Sequence, residues 1–176
     1  MSELRKANTD HPYFLTFTAA GWIDVFTRSR YCDVIIESLS FCQKQKGLEV
    51  YAYVIMPSHV HLVARSVDGK LNNIIRDFKS FTAKKILELI SDEQGESRRE
   101  WLLDQFSQAA GQTRQNKVYQ FWQKTNHATE LSNPVVFDQK VDYVHNNPVA
   151  AGLVMDAESW VYSSASEMKM IDVDVY

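Results

Sequence analysis

Apolar and polar residues alternate through Tyr13-Phe14-Leu15-Thr16-Phe17-Thr18, which predicts a first strand. Val34, Ile35, Leu39 and Cys42 then recur at near-helical spacing and predict a helix over residues 31–46, with Gly47 as its stop. Two strands follow, Glu49 to Met56 and His59 to Ser66, antiparallel and hinged at Pro57-Ser58. After an Asp68-Gly69 turn, Ile74, Ile75, Phe78, Ala83, Ile86, Leu87 and Ile90 give a long amphipathic helix over 71–90 its buried side. Residues 91–100 are polar and charged and read as a loop, 101–110 as a short helix, and Val118 to Trp122 as a fourth strand. Asn133-Pro134 opens a last helix as N-cap and first helical residue. Its expected end is near Asn146, because Pro148 disfavours helical geometry at the residue before it.

The order β-α-β-β-α-β plus a C-terminal helix predicts an α+β fold, a ferredoxin-like split βαβ sandwich with helices packed on an antiparallel sheet. That topology hosts many unrelated functions and decides no chemistry. The 176 residues suit one domain, with a core over about 13–165 and an acidic tail over 166–176. The composition, 45% hydrophobic and 12% aromatic, argues for a folded globule rather than a disordered chain. No apolar run approaches the ~18 residues of a membrane span, and the N-terminus lacks an apolar secretory segment. Cys32 and Cys42 lie ten residues apart on one predicted helix, ~15 Å by helical rise and too far to bridge. Two unbridged thiols fit a reducing cytoplasm.

Net charge is -3, which does not advertise nucleic-acid binding, but its distribution is uneven. Residues 70–125 hold ten Lys/Arg against seven Asp/Glu, and residues 155–176 one Lys against five Asp/Glu. A mildly basic middle and an acidic end permit a polyanionic partner without demanding one.

The candidate chemistry begins at His59-Val60-His61. Side chains alternate across a strand, so both imidazoles face one side, the start of a divalent metal site. On the last helix, Phe137, Val141 and Val144 share a narrow arc and form the core face, while Val136, Gln139, Tyr143 and Asn147 form a second stripe. Tyr143 is thus off the centre of its helix's core face, with Asn147 one turn away. A phenolate is a competent nucleophile for phosphoryl transfer, although a free phenol ionises only near pH 10. A metal held by His59, His61 and the Asn147 side-chain oxygen could polarise a phosphate, and such mixed ligation suits Mg²⁺ or Mn²⁺ better than closed zinc. Each residue also has a plainer reading. The His pair can be structural, Tyr143 a packed aromatic and Asn147 a helix-end residue. His145 and Asn146 read as exposed or capping groups, His127 as a loop histidine, and Lys79, Lys84 and Lys85 as a solvated helix face.

Several blocks, in order, resemble the REP-associated tyrosine transposases, single-tyrosine members of the HUH superfamily. They are the aromatic first strand; Tyr53-Val54-Ile55-Met56-Pro57-Ser58-His59-Val60-His61-Leu62; Phe121-Trp122; the run from Val141 through Tyr143 and Asn147 to Val154; and Trp160-Val161-Tyr162-Ser163-Ser164-Ala165. The resemblance spans about residues 13–165. It implies a ferredoxin-like core and metal-dependent nicking and joining of single-stranded DNA. Tyr143 would be the nucleophile, forming a 5′-phosphotyrosine link and freeing a 3′-OH, and His59, His61 and Asn147 would hold Mg²⁺ or Mn²⁺. The implied target is hairpin DNA, reached in a cytoplasmic, nucleoid-associated setting. Lys79, Lys84, Lys85, Arg98, Arg99, Arg114, Lys117 and Lys124 are then candidate phosphate contacts. A homodimer that donates the tyrosine helix in trans stays open. So do a non-catalytic module that binds structured nucleic acid and a metal hydrolase that uses water alone.

Overall fold

The computed structural model describes residues 11–92, 95–111 and 118–176. Strands β1 (Tyr13–Thr18), β2 (Leu48–Ile55), β3 (His59–Ser66) and β4 (Thr129–Glu130) form one sheet in the order β2-β3-β1-β4. Every ladder is antiparallel. Helix α1 (Ser29–Lys46) connects β1 to β2, α2 (Leu71–Ser91) and α3 (Arg99–Gly111) lie between β3 and β4, and α4 (Pro134–Ala150) follows β4. This is the anticipated ferredoxin-like α+β arrangement.

Strand alternation divides the core in two. Leu15, Phe17, Val60 and Leu62 point to one face, where they join Tyr31, Ile35 and Leu39 of α1 and Ile75, Phe78 and Ile86 of α2. Phe14, Val54 and Val63 point to the other, where they meet Phe137 and Val144 of α4. A register irregularity between Val50 and Ala52 lets β2 supply both Tyr51 and Ala52 to the α4 face. Gly47 ends α1 in the left-handed conformation, at φ 63°, as its position after the apolar run predicts.

The structure corrects two boundaries. The fourth strand is Thr129–Glu130, not Val118 to Trp122. Only Trp122 of that segment bridges β1's end, at Ala19. Further contacts, Gln123 N–H to Thr18 O and Thr16 N–H to Asn126 O, continue alongside β1 in a drifting register. His127, with φ 40°, interrupts this edge before the regular pairing begins. The segment is still a core element, because Phe121 and Trp122 are buried.

Helix α4 also runs past Asn146 to Ala150, with Pro148 inside it. Proline removes a single donor, and the Ala151 N–H to Asn147 O bond resumes the pattern beyond it. Pro148 is itself buried. At the other end, Asn133 caps the helix as anticipated, its side chain accepting from the Val135 N–H with Pro134 in the first turn.

Candidate active site

His59 and His61 project from β3 toward the α4 side of the sheet, their ring centroids 4.7 Å apart. Thr16 lies directly across the ladder from His61, and its hydroxyl is 2.9 Å from Nδ1. The Ser58 hydroxyl is 3.1 Å from Nδ1 of His59. When each Nδ1 carries the proton and donates, each Nε2 keeps a free lone pair, the tautomer a metal ligand needs. Burial, with smaller contributions from His59 and the Lys140 ammonium, pushes the His61 imidazole down to about 3. Burial also lowers His59, with Asp24 opposing. Both rings are therefore neutral at pH 7, as ligation requires.

Tyr143 reaches this pair from α4. Its ring centroid is 5.3 Å from that of His61 and 5.7 Å from that of Phe14, edge-on in both cases. Phe14 in turn stacks on His61 at 5.2 Å. Tyr143 remains 47% exposed, so one side of the phenol contacts the pair while the other faces solvent. Lys140, one turn earlier, holds its ammonium 4.7 Å from the Phe14 ring centroid and 5.3 Å from that of Tyr143.

Asn147 is half-buried one turn beyond Tyr143. Phe137 packs on Tyr51, which sits beside the Val63–Ala64 level of β3, and Tyr143 packs on His61. Helix α4 therefore runs antiparallel to β3. The ~6 Å rise from Tyr143 to Asn147 is comparable with the ~6.7 Å step from His61 to His59. Among the described residues no group of three His, Cys, Asp or Glu side chains could hold a metal. An amide oxygen is a donor outside that set. Two neutral imidazoles and an amide oxygen fit a hard, exchangeable divalent cation with positions left for substrate oxygens.

The other candidates are dispersed. Lys84 and Lys85 are exposed on α2, on the sheet face opposite the His pair, with Lys84 3.9 Å from Glu88. The Lys79 ammonium is tied to Gln123 O at 2.9 Å and Asn126 Oδ1 at 2.6 Å. Burial pushes it down to about 8. It pins the edge segment rather than facing solvent. Arg98 is engaged by Glu96 and by Asp24 O. Lys124 is exposed on the 123–126 segment. Arg114 and Lys117 lie outside the described residues. His127 is exposed, and half-buried His145 bonds the Ser164 hydroxyl at 2.9 Å, which fastens α4 to the C-terminal segment.

Sequence reasoning missed Thr16, Ser58 and Lys140. Thr16 carried a signal, because a polar residue inside an apolar strand needs a partner on its own face. Lys140 lies three residues before Tyr143, a spacing that brings side chains together on a helix.

A model of the family described as "Transposase IS200 like" matches residues 13–147. No curated protein matches the sequence significantly. Among solved structures, one of a REP-associated tyrosine transposase bound to a REP hairpin is similar, with a TM-score of 0.59 and 19% identity over 88% of this chain and 76% of that one. That likeness is one of fold.

Proposed function

The chain belongs to the IS200-like transposase family, and from that premise we propose that it cuts and rejoins single-stranded DNA beside a hairpin through a covalent tyrosine intermediate. The observation that carries the reading is the contact of half-exposed Tyr143 with His61 inside one chain, at 5.3 Å between ring centroids. This closeness supports a site built from one subunit, without a helix donated by a second copy.

The phenol oxygen of Tyr143 attacks the scissile phosphorus, and its proton leaves to solvent or a neighbouring base. The bond from phosphorus to the upstream 3′-oxygen breaks, and that oxygen takes the bonding electrons and a proton to become a free 3′-OH. The downstream strand stays on Tyr143 as a 5′-phosphodiester. Attack by another 3′-OH reverses the step and joins new ends, with no external energy source. Mg²⁺ or Mn²⁺ at His59, His61 and Asn147 would supply charge stabilisation at the phosphate. Thr16 and Ser58 orient the two imidazoles. Lys140 adds a fixed cation beside the nucleophile.

The test is an adduct assay with end-labelled hairpin DNA bearing single-stranded flanks, in Mn²⁺ or Mg²⁺, on a denaturing gel. A labelled protein band that requires metal and disappears in Tyr143→Phe is the expected result. Hairpin bound but never cut would indicate a binding module, and cleavage surviving Tyr143→Phe would indicate a water nucleophile.

A further inference from the structure

Trp22 is 60% exposed, yet it is held in a left-handed backbone conformation, φ 58°, that a bulky residue adopts only under constraint. The constraint is visible. The Ala19 N–H donates to Ser58 O at 2.9 Å, the Ala20 N–H to Phe121 O at 2.7 Å and the Trp22 N–H to Ala19 O at 3.0 Å. These bonds tie the Ala20–Trp22 turn to Ser58, whose hydroxyl also holds His59. The indole lies at 71° to the His59 ring, 5.7 Å between centroids, and most of the residue's surface stays in solvent. A strained backbone that holds a mostly exposed aromatic beside the His pair is not explained by core burial, and a ligand would explain it.

We infer that Trp22 is a stacking platform for a nucleobase, that of the nucleotide whose 3′-oxygen leaves. This rests on the proposed transfer to Tyr143. Tyr143 contacts the His61 end of the pair and Trp22 the His59 end. In-line displacement puts the leaving oxygen opposite the nucleophile, so the upstream nucleotide departs toward His59 and the indole. An open cleft of about 360 Å³ is lined by Ala20 and Gly21, which precede Trp22 in the same turn, and by Ala109, Gln120, Gln123, Lys124 and Thr125. It offers polar groups and one exposed cation to the backbone upstream. An aromatic face accepts any base, so Trp22 contributes affinity and register rather than sequence choice.

The experiment uses the full chain and a fluorescein-labelled DNA hairpin with single-stranded flanks. A matched set carries one abasic site at each flank position in turn. Affinity is read by anisotropy and single-turnover reaction by adduct yield. Trp22→Ala, which removes a mostly exposed side chain, is expected to lose roughly 5- to 150-fold in one or both readouts, with Trp22→Phe recovering most of it. In the wild type, one abasic position just upstream of the cut reproduces that loss. In Trp22→Ala the same abasic site costs nothing more. A Trp22→Ala protein equal to wild type overturns the inference. So does one whose loss is the same on every abasic substrate, since the indole would then only pack on His59. Base-dependent effects on affinity without any adduct keep the stacking role and remove the cleavage reading. Normal adduct with a neutral Trp22→Ala does the reverse.

Discussion

The two faces of the sheet are made by the same strands and do different work. Toward α1 and α2, β3 presents Val60 and Leu62, β1 presents Leu15 and Phe17, and all four are fully buried. Toward α4, the same strands present His59, His61, Thr16 and Thr18 beside the buried Phe14 and Val63. Two helices close the first face. One helix crosses the second, leaving Tyr143 and Trp22 exposed at the rim. Period-two alternation lets one strand carry fold and chemistry on opposite sides, each mutable with little effect on the other.

If that division holds, the largest effects on stability fall on the closed face. Phe17→Ala is expected to cost about 3–5 kcal/mol, because the ring is fully buried against Phe78 and Trp122. Urea unfolding measures it, and a loss below 1 kcal/mol, by the usual size of surface effects, would break the comparison.

Next comes Glu96, whose side chain is fully buried where the approach to α3 meets the start of α1. Burial opposes its charge, but hydrogen bonds from the Arg98 backbone and side chain, Tyr31 and Arg28 outweigh burial and hold it at about 2. A carboxyl lowered on folding stabilises above its unfolded value near 4.5 and loses that contribution as pH falls toward 2. The expected loss is on the order of 3 kcal/mol across that window. Glu96→Gln should flatten the acid limb of the stability curve, and an unchanged limb would remove the ion cluster from the account.

On the open face the effects move from stability to ligand affinity. Thr16→Val removes the hydroxyl that orients His61 and is expected to weaken Mn²⁺ binding roughly 10- to 100-fold, read by titration under electron paramagnetic resonance. Unaltered affinity would detach the hydroxyl from the metal site. The smallest stability effect belongs to Tyr143→Phe, expected within about 0.5 kcal/mol of wild type, since the phenol is half-exposed. A cooperative loss of several kcal/mol by the same measurement would give the Tyr143 hydroxyl a structural role.

Much of this was legible in the sequence, for reasons that also explain what was not. The elements followed from periodicity, and Gly47 and Asn133-Pro134 marked helix ends because special backbone needs select those residues. The side shared by His59 and His61, and the second stripe carrying Tyr143 and Asn147, followed from strand and helix geometry. The fourth strand misled because Phe121 and Trp122 are apolar for the core while regular pairing begins seven residues after Trp122. Pro148 misled because a proline near a helix end interrupts only one bond. Glu96 passed as one residue of a polar loop because its partners are distant in sequence, at Arg28 and Tyr31. Trp22 escaped because its meaning lies in His59, a neighbour that only the folded chain supplies.

The central claim is that Tyr143 of this chain becomes bonded to DNA. The most direct measurement is mass spectrometry of the protein after reaction with hairpin DNA and Mn²⁺, followed by nuclease and protease digestion. The account predicts a nucleotide 5′-phosphate on the peptide containing Tyr143 and on no other tyrosine, absent when metal is withheld. DNA cleaved with Tyr143 unmodified, or a nucleotide attached elsewhere, would contradict it.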